Sequence, residues 1–140
     1  MRLKKLHEDL IMPIKSTKGA GAFDIYMPDG GTAQGVRPTK VALGFAAEVP
    51  QGYVALIVPR SGVGAKFGVE LNNTCGVIDS DYRGQWFAAL RTKDGMPYMW
   101  AAQERVLQFL IIPVLDVQLE LVDELESTDR GDGGFGSSGK

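Results

Sequence analysis

Two carboxylates, a hydroxyl and a phenol fall within four residues of the stretch GVIDSDYRGQW (76–86): Asp79, Ser80, Asp81 and Tyr82. A carboxylate is ionised at pH 7 and can accept a proton from water. In an extended segment Asp79 and Asp81 share a face. The competing reading is a solvated turn, because Asp and Ser are turn formers. A second stretch, PRSG (59–62), places Arg60, the Ser61 hydroxyl and Gly62 ahead of a short helical candidate, SGVGAKF (61–67). Free N–H groups at a helix start and a planar guanidinium both suit phosphate. A capped turn with an exposed arginine fits the same residues. In AGAFDIYMP (20–28), Asp24 sits between Phe23 and Ile25. A carboxylate in that setting needs a partner, whether a structural one, a cation or a cation's waters. The fourth stretch is RGDGGFGSSG (130–139), with an arginine and a phenylalanine inside a glycine-serine run. Arg130 can clamp a phosphate, and Phe135 can stack on a base for roughly 1–3 kcal/mol. Ordering ten such residues costs on the order of 10 kcal/mol. The segment is therefore expected to be a mobile arm that closes only over a ligand offering several contacts.

Composition removes much else. A chain of 140 residues, 44% hydrophobic and 23% charged, reads as one globular domain. A net charge of -2 argues against a protein that coats nucleic acid or a membrane surface. There is one cysteine, Cys75, and one histidine, His7. No internal disulfide can form, and a reducing, cytoplasmic setting is expected. One His and one Cys cannot build a zinc site, and a His-based triad would need its base near the chain start. The N-terminus has no apolar h-region, and FLIIPVL is too short to span a bilayer.

The elements that would carry these groups are mostly strands. VALGFAAEV (41–49) and YVALIVP (53–59) read as a hairpin about Pro50-Gln51-Gly52. QWFAALR (85–91) alternates, TKDG turns, and MPYMW reads as the return strand. RVLQFLIIPV (105–114) is a buried run, and DVQLELV (116–122) alternates cleanly. Ser61 is the expected N-cap of the single helix. The fold class is all-β, a jelly-roll-like distorted barrel with one short helix. A core of residues 1–122 precedes the arm of 123–140.

Taken in order, GAFDI (21–25), PRSGVGAKFG (59–68), NTCGVIDSDYRGQW (73–86), QERVLQF (103–109) and RGDGGFGSSG (130–139) resemble the five motifs of the trimeric dUTP pyrophosphatases (dUTPases). The resemblance implies a homotrimer with active sites at subunit interfaces, each closed by a C-terminal arm. It implies hydrolysis of dUTP to dUMP and pyrophosphate with Mg2+. By motif position Asp79 is the general base. Tyr82 packs on the deoxyribose, and Asn73 reads uracil with the backbone of Gly76, Val77 and Ile78. Arg60, Ser61, Gly62 and Gln108 hold the phosphates. Arg130, Gly133, Gly134, Phe135, Gly136 and Ser137 close the site. Asp24 and Gln108 meet the metal through water. The chain departs from the motifs at Gly21-Ala22 (usually Ala-Gly), at Gln103 (usually Gly) and at Leu107 (usually Ala). A dCTP deaminase-like enzyme and a nucleotide-binding regulatory protein of the same fold are the alternatives.

Overall fold

The computed structural model describes residues 1–35 and 37–134. Among them are eleven short strands and one helix. In chain order they are β1 (Leu3–Lys5), β2 (Phe23–Tyr26), β3 (Gly31–Ala33), β4 (Thr39–Ala42), β5 (Phe45–Ala47), β6 (Tyr53–Pro59), α1 (Ser61–Phe67), β7 (Val69–Leu71), β8 (Gly76–Ile78), β9 (Phe87–Thr92), β10 (Tyr98–Trp100) and β11 (Arg105–Pro113). They form an all-β, jelly-roll-like body of four antiparallel sheets, ordered β2-β11-β6-β8, β4-β9-β7, β1-β5 and β10-β3. The core lies between them, around Trp86, Phe45 and Phe109, whose rings meet at centroid distances of 5.0 to 6.4 Å.

The alternation in β9 appears as expected, with Ala88, Leu90 and Thr92 buried and Phe87 exposed. The helix also spans the expected residues. Seven residues cannot hold a helix alone; this one is anchored by buried Val63 and ended by Gly68, left-handed at φ 63. Its N-cap is Arg60, with no side-chain cap bond, so Ser61 is the first helical residue and not the cap.

Two expected pairings, one expected strand and one expected shared face differ. The run 41–49 is split by Gly44 at φ 78. Its second half, β5, pairs β1, while β6 lies between β11 and β8. A strand apolar on both faces gains more from two neighbours than from one hairpin partner. MPYMW does not return along β9, because β4 and β7 already occupy both edges of β9. It pairs β3 instead, with Trp100 lying over Gly31, where an added Cβ would sit 2.9 Å from Trp100 Cε2. Residues 116–122 form no strand: Val117, Leu119 and Leu121 are 69%, 98% and 101% exposed. Their alternation is real, but among the described residues no strand pairs with them. Asp79 and Asp81 do not share a strand face either, since β8 ends at Ile78 and a turn follows, closed by Tyr82 N–H to Asp79 O at 3.2 Å.

Candidate active site

A cavity of about 1050 Å³ opens where β2, β6, α1 and β11 meet. Its lining includes Asp24, Arg60, Ser61, Gly62, Lys66 and Gln108. Asp24 is 5% exposed, so its charge needs partners, and it has three. Arg60 Nε approaches Oδ1 at 3.0 Å. Arg105 Nη1 and Ser16 Oγ meet Oδ2 at 3.1 and 2.7 Å. Arg60 also donates from Nη1 to the Arg105 carbonyl at 3.3 Å. Both guanidiniums are about one-third exposed, so losing either costs less than the roughly 3–5 kcal/mol of a fully buried pair. Asp24 is thus an anchor that sets two guanidiniums at the wall of the cavity, one of them on the N-cap residue of α1. The chemistry on offer is recognition of a polyanion.

Arg105 and Gln108 line the same cavity although three residues apart in a strand, where odd spacing normally separates faces. A β-bulge explains it. The register with β2 shifts between Arg105 and Leu107, and Val106 and Leu107 are both fully buried. The bulge inserts one residue and returns Gln108 to the Arg105 side. Leu107, the departure from the usual alanine, points into the core and away from the cavity. Ala22 does line the cavity, so its extra methyl lies on the wall. Gln108 Nε2 donates to Pro59 O at 3.1 Å. Gln103 is left-handed at φ 65, which accounts for the glycine usual at that position.

Tyr98 forms a further part of this wall. Its hydroxyl meets Glu104 Oε1 at 3.3 Å. Burial raises its pKa above 10.0, the nearby Glu104 carboxylate and its hydrogen bond raise it further, and the Arg60 charge opposes them.

The remaining expected site residues lie elsewhere. A smaller hollow, about 200 Å³, is lined by Val77, Ile78, Asp79, Tyr82, Gln85 and Phe87. Tyr82 folds back over the hairpin and donates to Gln85 O at 2.9 Å. It lies flat only because residue 84 is glycine: a Cβ there would fall 2.6 Å from Tyr82 Cζ. Asp79 is solvent-exposed at the mouth. Asn73 and Gly76 line an adjoining hollow of about 260 Å³ that shares Phe87. Thr74, beside Asn73, is held at φ 69, a conformation that costs a β-branched residue about 1–3 kcal/mol.

The β-sheet register keeps the two halves apart. Ile78 pairs Ala55, so Asp79 stands level with Val54, six residues along β6 from Arg60. At ~3.3 Å per residue that is about 20 Å of strand between the two backbone positions, and the hollow at Asp79 shares no lining residue with the cavity at Arg60. Between the halves, the sheet face away from the core carries Val54, Leu56 and Val58 on β6, and Leu110 and Ile112 beside them on β11. These side chains are only half-buried. Arg130, Gly133 and Gly134 lie in an exposed turn segment, where Arg130 Nε donates to Gly133 O at 2.9 Å. Phe135, Gly136 and Ser137 lie outside the described residues.

Among the described residues no cluster of three or more His, Cys, Asp or Glu could hold a metal. The available donors suit a Mg2+ ion that keeps its waters and binds mainly through substrate phosphates. Asp24 Oδ1 takes one donor only, and the Gln108 amide oxygen takes none among the described residues. The sequence reading missed Ser16 and Arg105. An isolated serine eight residues before Asp24 gives no signal, and the bulge hides the phase of Arg105.

A family model described as dUTPase matches residues 8–139. Curated relatives named deoxyuridine 5'-triphosphate nucleotidohydrolase include one from Hydrogenobaculum sp. (strain Y04AAS1), 41% identical, with 98% of this chain and 96% of the relative covered. Another, from Nautilia profundicola, is 36% identical, with 100% and 99% covered. Among solved structures, Staphylococcus bacteriophage 80alpha dUTPase with dUpNHpp superposes with a TM-score of 0.88 at 26% identity, covering 99% of this chain and 98% of that one.

Proposed function

The chain belongs to the dUTPase family and hydrolyses dUTP to dUMP and pyrophosphate; we propose that it does so in sites shared between copies of the chain, with Asp79 as the general base. The observation that carries this reading is the separation of about 20 Å between Asp79 and Arg60, set by ~3.3 Å per strand residue. In one chain the phosphate cavity and the nucleoside hollow open separately, with half-buried apolar side chains between them. A second copy, docked on the half-buried apolar face of β6 and β11, brings its own Asp79 hollow to the first copy's Arg60 cavity. A homotrimer closes such a head-to-tail contact into a ring of three sites.

In that site the exposed Asp79 carboxylate orients a water and takes its proton as the water attacks the α-phosphorus. A positioned base of this kind contributes roughly 10²- to 10⁴-fold. The bond from that phosphorus to the bridging oxygen breaks, and pyrophosphate leaves. Arg60, Ser61, Gly62 and Gln108 hold the phosphate chain. Tyr82 packs against the deoxyribose and leaves no room for a 2′-hydroxyl, while Asn73 and the backbone of Gly76, Val77 and Ile78 read uracil. Mg2+ held by the triphosphate would neutralise charge there, with Asp24 Oδ1 and the Gln108 oxygen meeting its waters. The arm from residue 123 onward reaches a neighbouring copy, where Arg130, Gly133, Gly134, Phe135, Gly136 and Ser137 close over the nucleotide. The cytoplasm is the compartment this reading assigns.

The test is turnover of dUTP by purified protein with Mg2+, beside dCTP, dTTP and UTP and an Asp79→Asn variant. Release of dUMP and pyrophosphate from dUTP alone, lost in the variant, is expected. Retained turnover in the variant would refute Asp79 as the base, and tight binding without turnover would favour a regulatory role.

A further inference from the structure

We propose that Ser16 is a positioning residue for the triphosphate: its hydroxyl bridges Asp24 and Arg105 and thereby fixes Arg60 against the phosphates. The inference rests on the cavity of Asp24 and Arg60 being the triphosphate half of the site.

The loop before β2 brings Ser16, itself exposed, beside Asp24. Ile14 and Asp24 exchange backbone hydrogen bonds of 3.3 and 2.7 Å, which ties the incoming chain to β2. Two residues beyond Ile14, Ser16 reaches the Asp24 side chain. Its Oγ donates to Oδ2 at 2.7 Å and accepts from Arg105 Nη1 at 3.4 Å. The hydroxyl is the one neutral partner in a cluster that is otherwise one carboxylate and two guanidiniums.

That neutrality matters. Arg60 and Arg105 share a single buried anion, and the carboxylate can turn to favour either one. Ser16 and Arg105 together pin Oδ2, so the carboxylate plane is fixed and Oδ1 is left for Arg60 Nε. With Nε on Asp24 and one Nη1 hydrogen on the Arg105 carbonyl, the guanidinium is held at two points. Three of its five N–H groups remain for a ligand. Without the hydroxyl, Asp24 is free to rotate toward Arg105, and Arg60 loses its fixed bearing on the cavity.

The experiment compares the intact protein with Ser16→Ala, Ser16→Thr, Arg60→Lys and the Ser16→Ala/Arg60→Lys double variant. It reads KM and kcat for dUTP and calorimetric affinity for dUpNHpp and dUMP. A lost hydrogen bond of ordinary strength predicts about a three- to tenfold weaker dUpNHpp affinity and a matching rise in KM for Ser16→Ala. Affinity for dUMP should change less than about twofold and Ser16→Thr should restore dUpNHpp binding, because the effect acts on phosphates and through a hydroxyl. In the double variant Ser16→Ala should add less than about twofold, since two residues acting as one unit are not additive. Unchanged dUpNHpp affinity in Ser16→Ala, an equal loss for dUMP, or full additivity with Arg60→Lys each overturns the inference. Absence of dUTP turnover in the intact protein overturns the reaction instead, and is read separately.

Discussion

If Asp79 and Arg60 act in one site from different chains, two dead variants should revive each other. Asp79→Asn lacks the base and keeps the phosphate half, while Arg60→Ala does the reverse. The distance is what makes the prediction sharp: Asp79 lies level with Val54, six residues from Arg60 along β6, or about 20 Å at ~3.3 Å per residue. Within one chain the two groups line separate hollows. When the two variants are co-expressed in equal amounts, each site draws Asp79 from one copy and Arg60 from another. The chance that both are intact is one half times one half, so about a quarter of all sites should work under random assembly, which is one site of three in every trimeric ring that holds both variants. Each variant alone should fall at least roughly 10²-fold, the lower end for loss of a positioned base. The assay is pyrophosphate release by doubly tagged, mass-verified mixed oligomers, set against each pure variant. Mixed oligomers no more active than the pure variants would show that base and phosphate grip belong to the same chain, and the register argument would fail.

Other outcomes follow from local geometry. Gln103→Gly relieves a left-handed side-chain residue and should raise stability by about 0.5–1 kcal/mol, or roughly 2–4 °C in thermal melts at fixed protein concentration; a lower midpoint would count against strain there. Gly84→Ala places a Cβ against Tyr82 and should cut kcat/KM for dUTP about 10- to 100-fold while raising UTP turnover relative to dUTP. Unchanged discrimination would mean that Tyr82 does not gate the sugar. Tyr98 has its pKa raised by burial and by Glu104, so the folded state holds its proton more tightly than the unfolded chain does. Its contribution to stability is complete below pH 10 and is lost as pH rises through the folded value. A Tyr98→Phe variant should therefore show a smaller drop in melting temperature above pH 10 than the intact protein.

Much of this was legible in the chain, and the exceptions share a cause. The helix at 61–67, the burial phase of β9 and the long strand β11 are local patterns, and they appear where the sequence puts them. The need of Asp24 for a partner was also local, but its partners were not. Arg105 comes 81 residues later in the chain, and a bulge shifts its phase. Strand pairing failed in the same way. β6 reads as one arm of a hairpin until β11 and β8 claim both its edges. Tyr98–Trp100 reads as the return of β9 until β9 is seen to be full. The alternation at 116–122 is present as a pattern, yet a strand needs a neighbour, and none of the strands among the described residues takes that place.

That unpaired stretch leaves a lone chain with an open apolar thread. Leu115, Val117, Leu119, Leu121 and Leu125 are each more than two-thirds exposed, and the acids Asp116, Glu120, Asp123, Glu124 and Glu126 are threaded between and around them. Exposed apolar side chains favour association, and interspersed like charges oppose it. On the shared-site proposal, sites would exist only in associated chains, so output would rise more steeply than chain concentration when chains are scarce.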